Sequence, residues 1–187
     1  PPIGDIEITR PEIYYGENTM EYVIVNTNTE EFDHPTEENV PAYVRYQGRG
    51  GVNLSSYLRK VVYAWQLGDV NILISGEITS ESKIQYNRHI QERIQKVAPF
   101  LMLDREPYLV VEEGGLLWVQ DAYTVSSKYP YSRPFNGEFN YIRNSVKVVV
   151  DAFNGTTDFY LIDPNDAVAR TYANIYPDLL KPIGEMP

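Results

Sequence analysis

The sequence predicts an α+β fold: an antiparallel sheet built from hairpins, with three helices packed on it. Three observations carry the prediction. Two pairs of short apolar runs flank turn-forming residues, and three stretches repeat apolar residues at helical spacing. The elements then follow in the order strand, helix, helix, hairpin, hairpin, helix, and local hairpins with grouped helices fit α+β better than alternating βαβ units. At 187 residues and 43% hydrophobic content, the chain has material for a core and room for one domain or two small ones. The expected organisation is an irregular acidic segment with one strand over residues 1–52, followed by an α+β core over residues 53–187, the whole forming one compact unit.

Each element has its own signal. Glu21-Tyr22-Val23-Ile24-Val25 reads as a strand, and Glu30 to Pro41 as a polar loop with two prolines. Gly48-Arg49-Gly50-Gly51 invites a phosphate-loop reading, but such a loop ends in Gly-Lys-Ser/Thr and feeds a helix. Here Val52-Asn53-Leu54 follows, so a tight turn is expected. The first helix starts at Asn53 as N-cap. Leu54, Tyr57, Leu58, Val61, Val62 and Trp65 fall on one face, which is expected to be buried, and Gly68 ends it. A second helix is expected near Ser82, where Ser82 and Gln85 make a capping-box pattern. Ile90, Ile94 and Val97 form its buried stripe, Arg88, Gln91, Glu92, Gln95 and Lys96 face water, and Pro99 stops it.

The first hairpin pairs Tyr108-Leu109-Val110-Val111 with Leu116-Leu117-Trp118-Val119 across Glu112-Glu113-Gly114-Gly115. In the second, Val146, Val148 and Val150 alternate with Lys147, Val149 and Asp151, Asn154-Gly155 supplies a two-residue turn, and Phe159 to Ile162 returns. The last helix begins at Asp163-Pro164-Asn165-Asp166, with Asp163 as cap and Pro164 in the first helical position, and runs through Ala167, Val168, Tyr172 and Ile175 to Pro177. Three oxygen-bearing side chains in those four residues suggest calcium, but the other ligands and the central Gly of a calcium loop are missing.

Charge and composition narrow the function. The net charge of −10 is uneven: residues 1–40 hold ten acidic residues and only Arg10 as a base, whereas the rest is nearly balanced. An acidic chain repels a phosphate backbone, so nucleic acid is not an expected partner. The absence of cysteine excludes disulfides, zinc–thiolate sites and Cys nucleophiles. The two histidines, His34 and His89, stand apart and read as surface residues, and no Gly-x-Ser-x-Gly elbow is present. No catalytic residue, metal-ligand set or cofactor site emerges. Carboxylates are plentiful, and Asp104, Asp121 and Asp151 are the members of an alternative reading, an envelope hydrolase, which needs two of them ~5–10 Å apart across a cleft.

The densest unexplained stretch runs from Asp121 to Lys147. It contains Asp121-Ala122-Tyr123-Thr124, Tyr129-Pro130-Tyr131-Ser132 and Asn140-Tyr141-Ile142-Arg143-Asn144. From Lys128 to Lys147 there are four basic residues and one acidic residue, Glu138, in a chain that is otherwise acidic. It reads as a proline-broken, aromatic, locally positive loop, and loops carry function more often than frameworks do. The candidate binding residues are Asp121, Tyr123, Tyr129, Tyr131, Tyr141, Arg143, Asn144 and Lys147. The tyrosines would stack or pack on a ligand, and Arg143 would hold a carboxylate or phosphate in a two-pronged contact.

Several of these segments are familiar together. Ala98-Pro99-Phe100-Leu101, Pro107-Tyr108, Trp118-Val119-Gln120-Asp121-Ala122-Tyr123-Thr124, Tyr129-Pro130-Tyr131-Ser132 and Asn140-Tyr141-Ile142-Arg143-Asn144-Ser145-Val146-Lys147 resemble UPF0182, an uncharacterised bacterial family of multipass membrane proteins. So do Pro11-Glu12-Ile13-Tyr14-Tyr15-Gly16-Glu17 and Asp151-Ala152-Phe153-Asn154-Gly155, although Tyr-Asp-Gly is the more usual ending of the latter. The resemblance implies a parent with N-terminal membrane helices and a large region outside the cytoplasm, of which this chain is a central piece. The chain's opening on Pro1-Pro2-Ile3 without an initiator Met or signal segment agrees with that expectation. No apolar run approaches the ~20 residues of a membrane helix. The family has no established reaction or ligand to carry over. The expected role is therefore a non-enzymatic extracytoplasmic module, partnered by the rest of the parent protein and by an envelope glycan or another protein.

Overall fold

The computed structural model describes residues 8–35 and 41–187. These fall into two compact units, a smaller one over Thr19–Arg88 and a larger one that joins Pro1–Asn18 to His89–Pro187. The division expected at residue 52 is not the one the chain adopts. Strands on both sides of that position hydrogen-bond to each other, so the part of the acidic segment from Thr19 onward shares one unit with the first helix, while the part before it goes with the larger unit.

In the smaller unit, β1 (Val23–Val25) is the expected strand. The stretch read as a polar loop instead pairs β2 (Glu31–Pro35) antiparallel to β3 (Pro41–Val44), and residues 36–40 of that reading, like the N-terminal residues 1–7, lie outside the described residues. Next come β4 (Val52–Asn53), α1 (Tyr57–Leu67), the short α2 (Asn71–Ile74) and β5 (Lys83–Gln85). β5 lies between β1 and β4 and is antiparallel to both, with Ile84 opposite Ile24 and Val52. Its Ile84 is buried with Leu54, Tyr63, Ala64 and Ile72.

Three further expectations fail in this unit. α1 starts after Ser56, because the Asn53 side chain accepts the Ser55 N–H at 2.7 Å and closes a turn ahead of the helix. Of the face expected to be buried, Leu54, ahead of the helix, is buried and Val61 is half-buried, but Tyr57, Leu58, Val62 and Trp65 are exposed, and within α1 the core takes Tyr63 and Ala64, with Leu67 packed against them. Apolar residues surround most of this helix, so spacing alone defines two stripes and cannot choose between them. Ser82 caps nothing: its hydroxyl donates to the Asn26 carbonyl at 2.9 Å and accepts the Thr79 N–H at 2.9 Å. Residues 83–85 after it form a strand, because Ile84 fills the core between two neighbours.

The larger unit holds α3 (Ile90–Val97), β6 (Leu101–Leu103), β7 (Tyr108–Glu112), β8 (Gly115–Ser126), β9 (Tyr141–Asp151), β10 (Thr157–Leu161), α4 (Ala167–Ile175), β11 (Leu180–Pro182) and a 3-10 turn at Ile183–Glu185. The sheet order is β11-β10-β9-β8-β6, with β7 also on β8, and every pairing is antiparallel except β10 with β11. The α+β class and the hairpin-built sheet are therefore as predicted, with four α-helices among the described residues rather than three.

Both expected hairpins form. Tyr108 lies opposite Val119 and Val111 opposite Leu116, across Glu113 and Gly114 at φ 47° and 76°. Val150 lies opposite Thr157 and Val146 opposite Leu161. The second turn is longer than two residues, since the Asp151 carboxylate accepts the Phe153 and Asn154 N–H groups at 2.8 and 2.9 Å and holds residues 152–156 as a loop. Gly155 there has φ 71°, and a Cβ on it would lie 2.5 Å from the Tyr15 ring. Ile90, Ile94 and Ala98 pack on Leu101, Ala122, Val146, Val148, Val150 and Phe159. Val97 is exposed, because the helix ends there and Ala98 turns inward.

His89 is the N-cap of α3, its Nδ1 accepting the Glu92 N–H at 3.4 Å, and it is half-buried rather than a free surface residue. Asp166, not Asp163, caps α4. The incoming chain runs beside the start of α3, where Gly16 bridges His89 and its carbonyl accepts the Ile90 N–H at 3.3 Å. Among the described residues, no helix is long and apolar enough to cross a membrane.

Candidate functional site

The stretch Asp121–Lys147, read as a loop, is mostly sheet. β8 and β9 pair from Leu117 opposite Asp151 out to Ser126 opposite Tyr141, with one irregularity after Ala122. Only residues 127–140 leave the ladder, forming a loop at the end of a short two-stranded arm, where Val125 and Ser126 lie opposite Ile142 and Tyr141 beyond the last pairings of β6 and β10. Asn140 clasps that loop. Its side-chain oxygen accepts the Tyr129 N–H at 2.9 Å, its amide nitrogen donates to the Tyr129 and Ser132 carbonyls at 2.8 and 3.0 Å, and the Ser132 hydroxyl donates to the Asn140 carbonyl at 3.0 Å.

A smaller turn sits at the tip. Asn136 and Gly137 have φ 48° and 78°, the Glu138 N–H donates to the Phe135 carbonyl at 3.0 Å, and the Phe135 N–H donates to the Phe139 carbonyl at 2.8 Å. Asn-Gly is the dipeptide that favours such turns, since both residues tolerate positive φ. Asn136-Gly137 was thus a sequence signal of the same kind as Asn154-Gly155, and it places Phe135 and Phe139 side by side with ring centroids 5.8 Å apart. Arg133, Phe135, Phe139, Asn140, Tyr141 and Ile142 line a shallow cavity of about 370 Å³.

The root of the arm is tied down by one carboxylate. Asp166 is fully buried and accepts the hydroxyls of Thr124, Ser145 (2.5 Å) and Tyr141 (2.6 Å), and the Val168 N–H at 2.9 Å. Burial pushes its pKa up, but the three hydroxyls and the backbone N–H outweigh it and leave the pKa below the usual carboxylate value. Thr124 lies on β8, Ser145 and Tyr141 on β9, so a single side chain joins both strands to α4. The Tyr141 ring then stacks on Tyr129 at 4.8 Å. Arg143 is held at 2.5 Å by Asp163, whose other task is to accept the Asn165 N–H at 2.9 Å.

A second group lies on the sheet surface. Lys147 Nζ is 2.7 Å from Asp121 and 3.2 Å from the Tyr108 hydroxyl, and the Asn144 amide donates to Asp121 at 3.3 Å. Burial pulls the Lys147 pKa down, but Asp121 and Tyr108 more than compensate and it is raised. Charges matched this closely hold strands together and leave little for a ligand.

The eight residues singled out from the sequence therefore separate. Asp121, Asn144 and Lys147 form the surface cluster, with Tyr123 half-buried in β8 opposite Asn144. Tyr141 and Arg143 belong to the root. Tyr129 and Tyr131 belong to the arm's end, where Tyr131 is fully exposed and has φ 59°. Sequence reasoning missed Phe135, Phe139, Arg133 and Asp166. Among the described residues, Lys128 and Arg133 have no ion-pair partner, and both sit on this exposed end.

The carboxylates of the hydrolase reading are each engaged elsewhere. Asp151 caps its turn, and Asp121 is paired with Lys147. Asp121 is four residues along β8 from the partner of Asp151, a separation of ~13 Å at ~3.3 Å per residue. Asp104 runs beside Asp121, its N–H donating to the Asp121 carbonyl at 3.0 Å, while its own carboxylate accepts the Arg105 N–H at 2.9 Å. Among the described residues, no group of three or more His, Cys, Asp or Glu side chains is placed to hold a metal ion. The arrangement offers exposed aromatic faces beside two uncompensated cations, which suits holding a ligand by stacking and charge.

Comparison with known proteins agrees with the resemblance read from the motifs. The family described as "Uncharacterised protein family (UPF0182)" matches residues 2–187. A UPF0182 protein of Pelotomaculum thermopropionicum is 50% identical over 190 residues, covering 100% of this chain and 21% of its own length. Those of Pelobacter propionicus and Moorella thermoacetica are 52% and 51% identical, covering 99% and 97% of this chain and 21% and 20% of their own lengths. The chain thus spans about a fifth of the curated relatives it matches. No solved structure matches it.

Proposed function

The chain belongs to the uncharacterised protein family UPF0182, and from that premise we propose that the β8–β9 arm is a non-enzymatic binding element. In this reading the chain is an extracytoplasmic segment of a multipass membrane protein, and the arm takes an envelope glycan or a partner protein.

Tyr131 carries the proposal. A bulky residue at positive φ costs on the order of 1 kcal/mol, and such strain persists only where the surroundings over-determine it. The Asn140 clasp supplies that constraint on either side of Tyr131. The ring so held is fully exposed and packs on nothing that would reward folding. A ligand that covers it gains apolar contact, and the exposed Phe135 and the cations Lys128 and Arg133 belong to the same loop. Sugar rings and acidic protein surfaces both match an aromatic face bordered by positive charge.

The test is titration with soluble anionic cell-wall glycan fragments, comparing the natural chain with Tyr131→Gly and with Phe135→Ala. Each variant is expected to bind at least tenfold more weakly with its fold intact; equal affinity in all three removes the site. The location is tested separately by placing a cysteine at Tyr131 and labelling whole cells with a membrane-impermeant maleimide. Labelling only after lysis would place the arm inside the cell and overturn that part.

A further inference from the structure

The first helix of the smaller unit presents an apolar face to solvent. Along α1, Trp65 is 86% exposed, Tyr57 73%, Leu58 71% and Val62 46%. Val70 and Ile74, in and beside the following short helix, are exposed as well. Together these side chains offer several hundred Å² of surface, the scale on which domains of one chain pack against each other (~600–1,500 Å²). Isolated exposed apolar residues need no explanation, but a helix face of this kind marks an interaction surface.

The charges of the same helix say what kind of partner fits. Helices that lie on lipid carry Lys and Arg free to meet anionic headgroups. Here both cations of α1 are turned to backbone carbonyls of their own unit: Arg59 donates to the Asn53 carbonyl at 3.1 Å and Lys60 to the Ile78 carbonyl at 3.3 Å. The helix has no acidic residue. The exposed stripe is therefore uncharged, which favours an apolar protein surface over a charged bilayer. The chain is a fifth of the length of its relatives, so four fifths of such a polypeptide lies outside these 187 residues.

We infer that the Tyr57/Leu58/Val62/Trp65 face of α1 packs against the remainder of the same polypeptide and is an intramolecular docking surface. This stands apart from the arm and does not depend on what the arm binds.

The chain lacks cysteine, which makes the test direct. Single cysteines are placed at Leu58, Trp65 and, as an exposed control in the same unit, Glu81, in the full-length protein with any cysteines elsewhere replaced. Maleimide labelling rates are then measured. Positions 58 and 65 are expected to label at least tenfold more slowly than position 81. A photo-crosslinking residue at position 65 is expected to join a peptide outside these 187 residues of the same molecule. Equal rates at all three positions overturn the inference. So does protection that arises only when lipid vesicles are added, or that is lost on dilution together with a dimer, since those results assign the face to a bilayer or to a second copy.

Discussion

Removing the Asp166 carboxylate tests whether one buried group holds the arm to α4. In Asp166→Ala the helix loses its N-cap, which costs about 1 kcal/mol. The buried Ser145 hydroxyl loses its acceptor, the Thr124 hydroxyl keeps only the Arg143 carbonyl at 3.4 Å, and a buried polar group left unpaired costs ~1–3 kcal/mol. Together these predict a loss of ~3–5 kcal/mol from the larger unit. Asp166→Asn keeps the size and one acceptor oxygen but removes the charge, so its loss is expected to be smaller. Urea denaturation followed by Trp118 fluorescence measures both. Trp118 lies in the larger unit with its indole N–H donated to the Tyr15 carbonyl at 3.0 Å, and Trp65→Phe silences the other tryptophan. The carboxylate's folded pKa lies below its unfolded value of ~3.9, so its contribution is fully present above that pH and is lost as pH falls through the lower folded value. The natural chain should therefore lose stability over that acid range more steeply than Asp166→Asn. A loss under ~1 kcal/mol for the Ala variant, or identical acid profiles, would refute the account.

Other expectations follow from single geometries. Gly155→Ala forces a methyl into the Tyr15 ring at a positive φ and should cost ~2 kcal/mol or more, read as a lower urea midpoint for the larger unit. Tyr22 is partly buried and donates its hydroxyl to Asp69, and the two effects, burial first, raise its pKa to about 12. Its contribution is present below the unfolded value of ~10 and is lost as pH rises toward the folded one. Tyr63 is also raised to about 12, by burial first, so absorbance titration at alkaline pH should show a late-titrating component that shrinks by one tyrosine, without vanishing, in Tyr22→Phe. Tyr131→Gly should leave the chain as stable or more stable, by up to ~1 kcal/mol, because it relieves positive-φ strain; a clear loss in thermal melting would show that the ring is structural.

The hairpins were legible because alternation and turn chemistry are local, and both act within a few residues of one another. The helices were less so. α1 has apolar residues on two sides, and only the sheet beneath it decides that Tyr63 and Ala64 go in while Trp65 stays out. Ser82 and Gln85 match a capping box, yet Ile84 is worth more as the central strand residue between Ile24 and Val52. At the last helix, Asp163 and Asp166 are both plausible caps in isolation. Asp166 wins because hydroxyls from positions 124, 141 and 145 converge on it, and nothing local to residues 163–166 announces them. The same limit applies to the candidate site. Composition drew attention to the right stretch, but Arg143 and Lys147 are neutralised by Asp163 and Asp121, partners that only pairing of β8 with β9 and the approach of α4 bring near. What remained open to solvent was the tip, where an Asn-Gly pair carried a readable and overlooked signal.

The bridge between Gly16 and His89 means that the polypeptide departs from and returns to one framework at neighbouring points. Thr19–Arg88 is thus an insertion spliced into a host whose short leading segment and long trailing segment are joined by that seam. The host cannot close during synthesis until residues beyond His89 have emerged, whereas the inserted piece is complete by then. Closing the seam with a few flexible residues would excise the insertion and still let the two segments of the host meet.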